Sequence, residues 1–252
     1  MASIRSVLKT ALIILWTLSC YAAYLLVYLV IRLFGFRYEV WRNKLMWFWS
    51  GGCCKILSIK ITVNGNPPKA PFFLVSNHLS YIDILPLYQH LNCTFVAKKE
   101  VRSWPLLGFM VMTMGVIFVD RTRKRDVTRV NELISGSLNE KQGVVIFPEG
   151  TTSPGKEVLP FRSPLLEYPA AKGIPVHHAS IRYETGEKDP PASESVCWYG
   201  GQHFGKHTQK LAANRNIYCT ISFGEKSQIY NDRKELTNEL HKGVSEIFSP
   251  MA

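Results

Sequence analysis

No charged residue interrupts the chain from Thr10 to Ile31, while Arg5 and Lys9 precede that run and Arg32, Arg37, Arg42 and Lys44 follow it. Coiled as a helix, such a run reaches about 33 Å, enough to cross a hydrocarbon layer of about 30 Å. So much apolar surface needs a non-aqueous partner, which ties the chain to a bilayer. A second apolar stretch, Leu45-Met46-Trp47-Phe48-Trp49, comes close behind, with Lys55 after it. Cations on every flank give no inside–outside asymmetry, and two helices entering and leaving one leaflet fit that symmetry while a crossing stays open. Trp41, Trp47 and Trp49 suit either an interfacial belt or packing against a core. Leu18-Ser19-Cys20 has some look of a lipoprotein cleavage site, but Thr17 stands where an aliphatic residue is wanted, so the segment is expected to be retained. The expected division is a membrane-associated pair of helices over residues 1–57 and one core domain over 58–252.

A formal charge of +11 on 252 residues predicts attraction to polyanions. Charge alone does not separate nucleic acid from anionic headgroups, but the apolar N-terminal segment does, since a nucleic-acid reader has no use for it. The partner read from the sequence is the lipid bilayer, with no nucleic acid. Cys20, Cys53, Cys54, Cys93, Cys197 and Cys219 show no CxxC pair and no framework spacing. That usage fits a reduced core facing the cytoplasm.

From Ser58 onward, short β-branched or apolar runs alternate with polar helical stretches, the pattern of an α/β sheet layered by helices. Expected strands are 59–63, 72–76, 93–97, 116–119, 144–147, 176–181, 196–199 and 217–223, which predicts a mixed sheet of about six to eight strands. Expected helices cover 81–91, 106–114, 126–140, 164–172 and 232–248, the last capped by Asn231 or Asp232.

The segment Leu74-Val75-Ser76-Asn77-His78-Leu79-Ser80-Tyr81-Ile82-Asp83 runs from a buried strand into a helix, placing His78 at a strand end, where open α/β sheets keep their chemistry. Five residues on, Asp83 can fold back to meet the imidazole. Such a carboxylate fixes the tautomer of a histidine base, whose help to an attacking alcohol is worth about 10²–10⁴ in rate. An ordinary turn histidine and helix-start aspartate would look the same from this segment alone. Ser76 and Ser80 flank His78, yet no G-x-S-x-G elbow occurs, so capping explains them better than hydrolase chemistry.

A second strand ends in Phe147-Pro148-Glu149-Gly150-Thr151-Thr152-Ser153. Gly150 lets backbone amides approach a ligand, and Glu149 can accept from substrate hydroxyls or orient a cation, with Thr151 beside them. A plain Pro-Gly turn is the alternative. A third strand ends in Val119-Asp120-Arg121, where a cationic cluster through Arg125 begins. Guanidinium forks suit phosphate, which makes Arg121 the first choice for an anionic headgroup and Arg162, shortly after the glutamate loop, the second. His177 with His178, and His203 with His207, lack acidic or thiol support, and Gly205 disfavours a helix at the latter pair. No metal site is expected.

Together these motifs closely resemble those of the glycerophospholipid acyltransferases, in particular the lysophosphatidate acyltransferases. The resemblance covers roughly Phe72 to Tyr199. The family's His-x4-Asp motif reads His78 to Asp83, its Pro-Glu-Gly-Thr motif Pro148 to Thr151, its arginine block Phe118 to Arg121, and its Val-Pro-Val element Gly173-Ile174-Pro175-Val176. Cys197-Trp198-Tyr199-Gly200 is also similar to family members, without assigned chemistry. The resemblance implies an acyltransferase domain over 58–252 behind a two-helix anchor. It further implies direct transfer of a fatty acyl group from acyl-CoA or acyl carrier protein, as co-substrate and with no cofactor, to the sn-2 hydroxyl of lysophosphatidate. His78 and Asp83 would be catalytic, while Asn77, Arg121, Glu149, Gly150, Thr151 and Arg162 would bind substrate. Phe161-Arg162-Ser163-Pro164 departs from the commoner Phe-Lys-x-Gly, so another lysophospholipid, lyso-ornithine lipid or glycerol 3-phosphate stays open as acceptor. A non-catalytic lipid-binding adaptor is the alternative of a different class.

Overall fold

The computed structural model describes residues 3–35, 38–104, 107–120 and 126–251. Helix α1 (Ile4–Leu33) opens on Ser3, whose side chain caps the Ser6 amide, and α2 (Tyr38–Leu57) packs back along it. Crossed indole bonds join the pair: Trp16 Nε1 donates to the Trp49 carbonyl at 2.9 Å and Trp49 Nε1 to Thr17 Oγ1 at 3.0 Å. Trp49 and Trp41 thus pack inward, while Trp47 is exposed.

The strands are β1 (Ile59–Asn64), β2 (Phe73–Ser76), β3 (Cys93–Lys98), β4 (Ile117–Val119), β5 (Gly143–Ile146), β6 (Val176–Thr185) and β7 (Ile217–Phe223). They form a seven-stranded sheet in the order β1-β7-β6-β2-β5-β3-β4, within the predicted range. Every neighbouring pair is parallel except β6 with β7. Central β2 and β5 are buried at every position, as continuous apolar runs covered on both faces should be. Edge strand β1 instead alternates.

The remaining helices are α3 (Ile84–His90), α4 (Leu107–Thr113), α5 (Asp126–Ser137), α6 (Glu167–Lys172), α7 (Ala192–Ser195), α8 (Phe204–Ala213) and α9 (Arg233–Ile247). Leu74, Phe95, Val145 and Ile181 look toward α1, α2, α3 and α8. Phe73, Val75, Val144 and Ile146 look toward α5, α6 and α9. Asp232 caps α9 as expected, accepting from the Lys234 and Glu235 amides.

Three expectations are corrected. Residues 196–199 form no strand: Val196 and Cys197 are buried behind α7, and the Trp198 amide donates to the Leu79 carbonyl at 2.9 Å. The apolar run therefore lines the turn that follows β2 instead of joining the sheet. Residues 204–213 are helical despite Gly205, because the roughly 1 kcal/mol that glycine costs is offset by burying His207, Leu211 and Ala212. The helix expected over 81–91 opens as a tight turn, Tyr81–Asp83, of 3₁₀ type before α3. Arg42, one of the cations that follow the apolar run, is 1% exposed. Its guanidinium donates to the Met114 carbonyl at 3.2 Å, the Cys93 carbonyl at 3.3 Å, Asn43 Oδ1 at 2.7 Å, and Gln142 Oε1. It bolts α2 to the starts of β3, β4 and β5.

Candidate active site

Because β2 and β5 run side by side in parallel, their C-terminal ends bring His78 and the Phe147–Gly150 turn together. The His78 and Phe147 rings stack at 4.1 Å, and Phe147 stacks in turn on Phe95. A ring held between a strand end and an aromatic face has little freedom left to lose when it reacts.

The tight turn swings Asp83 back under His78. Asp83 Oδ2 accepts from His78 Nδ1 at 2.8 Å and from the Leu79 and Ser80 amides at 2.8 and 3.0 Å, while Oδ1 accepts from the Tyr183 hydroxyl at 3.0 Å. The carboxylate is fully buried, whereas the His78 side chain is 22% exposed. With Nδ1–H donating to the Asp83 carboxylate, the neutral ring keeps a lone pair on Nε2 at the opening. Tyr183 remains a donor, since burial, and then Asp83, push its phenol well above the ordinary range.

Glu149 sits behind this pair, 3% exposed. Its Oε1 accepts from the Leu159 amide at 3.3 Å, and Oε2 is buried with no hydrogen-bond partner. Burial pushes the carboxyl up to about 8 against the pull of the Leu159 and His78 backbone amides, with Asp83 adding to the rise. Near neutral pH it is mostly protonated and can donate as well as accept. Gly150 adopts a positive φ of 72°, which lets its amide close the turn on the Phe147 carbonyl at 3.0 Å. Thr151 is exposed beside it. The neighbouring hydroxyl residues brace the site: Thr152 Oγ1 donates to the Trp198 carbonyl, and the Ser153 amide to the His78 carbonyl at 3.0 Å.

Asn77, expected to touch substrate, is 1% exposed and spent elsewhere. Its Nδ2 donates to the Ile181 carbonyl at 2.9 Å and its Oδ1 accepts the Ile181 amide at 2.7 Å. Both ends of the amide extend the β2–β6 ladder past Ser76, which makes Asn77 a clamp on the turn carrying His78. Arg162 has an exposed side chain, and its amide donates to the Pro148 carbonyl at 2.9 Å, keeping it next to the Glu149 turn. Arg121 lies outside the described residues. His207 is buried between the Cys197 carbonyl, at 2.9 Å, and the Tyr81 hydroxyl, at 3.2 Å. Among the described residues no three His, Cys, Asp or Glu side chains are grouped to hold a metal ion.

Sequence reading missed Tyr183, Trp198 and the stacking role of Phe147. Tyr183 lies two residues beyond Ile181 on the same strand face, but its partner is 100 positions away. Only the sheet order brings them together.

Residues 59–182 match the protein-family model described as Acyltransferase. The 1-acyl-sn-glycerol-3-phosphate acyltransferase of Neisseria gonorrhoeae is 32% identical over 151 residues, spanning 58% of this chain and 59% of that protein. Somewhat over half of that relative's length is therefore covered. Two lyso-ornithine lipid O-acyltransferases match over more of their length. That of Pseudomonas aeruginosa is 31% identical across 81% of this chain and 78% of its own. That of Brucella abortus is 34% identical across 81% of each. The crystal structure of the 1-acyl-sn-glycerophosphate acyltransferase of Thermotoga maritima superposes with a TM-score of 0.68 over 98% of both chains at 21% identity, which establishes a common fold.

Proposed function

Because this chain belongs to the glycerophospholipid acyltransferase family, we propose that it is an O-acyltransferase. It moves a fatty acyl group from an acyl thioester, acyl-CoA or acyl carrier protein, to the hydroxyl of a lysolipid, with the sn-2 hydroxyl of lysophosphatidate as the first assignment. The observation that carries the reading is the 2.8 Å bond from His78 Nδ1 to fully buried Asp83, which leaves Nε2 basic and open.

His78 Nε2 takes the hydroxyl proton as the oxygen attacks the thioester carbonyl, and Asp83 stabilises the imidazolium that forms. Collapse breaks the C–S bond, and the departing thiolate recovers the proton from His78. The products are an ester and a free thiol, with no acyl-enzyme. The Gly150–Thr151 turn faces the acceptor, with buried Glu149 behind it, while Arg162, with Arg121, supplies cations for its anionic group.

A second acceptor has its own support: the two relatives matched over 81% of this chain are named for lyso-ornithine lipid. Detergent-purified protein, offered each acceptor and either thioester, separates these cases by thiol release. His78→Ala should abolish the release. If no lysolipid or glycerol 3-phosphate gives His78-dependent release, the protein is a lipid-binding adaptor and the enzyme reading fails.

The membrane attachment proposed here is monotopic, with the core on the cytoplasmic side. The span Ile4–Ile31 is long and apolar enough to cross a bilayer and is mostly unburied. Yet α1 meets the core at both ends of a long stretch. Ser6 Oγ donates to the Gln209 carbonyl at 2.7 Å and Lys9 Nζ to the Asn214 carbonyl at 2.8 Å, while Tyr24 donates to the Thr113 carbonyl at 2.7 Å. From Lys9 to Tyr24 is about 22 Å of helix lying flat on the core. An upright helix would carry Tyr24 about 22 Å deeper than Lys9, past the middle of a hydrocarbon layer about 30 Å thick, and out of reach of a domain held on one leaflet.

A further inference from the structure

Between Arg102 and Asp120 the chain carries no charged residue, and cations stand on both sides: Lys98, Lys99 and Arg102 before, then Arg121, Arg123, Lys124 and Arg125 after, with Glu100 and Asp120 among them. This repeats in short form the pattern around α1. Its last residues, Ile117–Val119, are strand β4, and the short apolar helix before them is either a buried core helix or an interfacial insert. Helix α4, which lies inside it, is not a core helix. Met110 is buried, but Phe109 is 52% exposed and Met112 37%. Its outer face is as apolar as its inner one, whereas a helix facing water carries polar residues there.

What lies beside α4 decides what covers that face. Tyr21 and Tyr24, near the middle of the uncharged run of α1, are both buried against it. The Tyr21 hydroxyl meets Thr113 Oγ1 at 2.9 Å, and its ring meets Phe109 edge-on at 6.4 Å. The carbonyls that follow α4 are taken one after another by side chains. Thr113 accepts from Tyr24 at 2.7 Å, Met114 from Arg42 at 3.2 Å, and Gly115 from Thr94 Oγ1 at 2.9 Å. Helix C-terminal carbonyls are usually left to water or to a glycine cap. Gly115, at a φ of 73°, supplies such a cap as well: its amide donates to the Met112 carbonyl at 3.2 Å and the Val116 amide to the Val111 carbonyl at 3.4 Å, so the helix end needs no water, as backbone beside lipid requires.

We propose that α4 is a third membrane insert, whose Phe109 and Met112 face lies in the acyl layer of the same leaflet as α1. The proposal rests on the monotopic reading above and extends it from the N-terminal pair to the catalytic domain itself. Because α4 leads directly into β4, its insertion holds the β4 end at headgroup depth. An anionic acceptor can then be met without leaving the bilayer.

The test places single cysteines at positions 109 and 112, labels them with a bimane probe, and reconstitutes the protein in phosphatidylcholine–phosphatidylglycerol vesicles carrying acyl-chain nitroxide lipids. All six native cysteines are buried and should label poorly. Leu15, exposed on α1, and Ile229, exposed on the core, serve as lipid and water references. Quenching at 109 and 112 matching position 15, with none at 229, is the expected result. Quenching at 15 alone overturns the α4 proposal and leaves the monotopic reading standing. No quenching at any position overturns both, and 109–109 cross-linking without quenching shows a second copy covering the face instead. As an independent measurement, Phe109→Glu with Met112→Glu should weaken vesicle binding while leaving the detergent Tm unchanged. Unaltered binding counts against insertion.

Discussion

Replacing Glu149 with glutamine should stabilise this protein, increasingly so as pH rises. Burial lifts the Glu149 carboxyl from an ordinary 4.5 to about 8. The folded value lies above the unfolded one, so folding takes up a proton throughout that interval. The contribution of the neutral, buried acid is fully present below about pH 4.5 and is lost as pH climbs through about 8. Each pH unit in between is worth about 1.4 kcal/mol. Glutamine keeps the shape and the neutrality without titrating, so Glu149→Gln should gain roughly 1 kcal/mol over the parent at pH 5, about 2 at pH 6 and about 3 at pH 7, levelling off above pH 8. For a chain of this size about 3 kcal/mol is roughly 6–12 °C in Tm. Thermal unfolding of both proteins in one detergent, from pH 5 to pH 9, reads this directly. A difference that stays flat across the range, or a variant less stable than the parent at pH 8, would refute the buried-acid account. Turnover should move the opposite way, since a functional site commonly holds such a group at a cost in stability.

Tyr183→Phe removes the hydroxyl that donates to Asp83 Oδ1 and leaves that buried oxygen bare. Turnover should fall about tenfold, the worth of a hydrogen bond to a charged group, with KM for the acceptor unchanged. A rise in KM with kcat intact would show that Tyr183 serves substrate binding instead. Arg42→Met leaves the Met114 and Cys93 carbonyls and the Asn43 and Gln142 side chains without their donor. A loss of about 3 kcal/mol or more in urea unfolding is expected, and a variant as stable as the parent would show that Arg42 is not the bolt between α2 and the sheet.

Sequence alone determined the features that depend on neighbours in the chain. The apolar run at 10–31 marked α1, and β-branched runs marked all seven strands, the span of β7 to the residue. Five residues of separation allowed His78 to pair with Asp83, since a single tight turn closes that distance, and the neighbouring motifs made that pairing the expectation. Tertiary structure decided what depends on partners far along the chain. Asn77 reads as a site residue until Ile181, 104 positions away, takes both ends of its amide. Arg42 reads as one more cation flanking the apolar run until Gln142, 100 positions on, draws it inward. Residues 204–213 read as non-helical until burial against the core outweighs one glycine. Periodicity and spacing record which face of its own element a residue occupies. Which strand end or helix that face will meet follows from the order β1-β7-β6-β2-β5-β3-β4, fixed by the packing of the whole sheet.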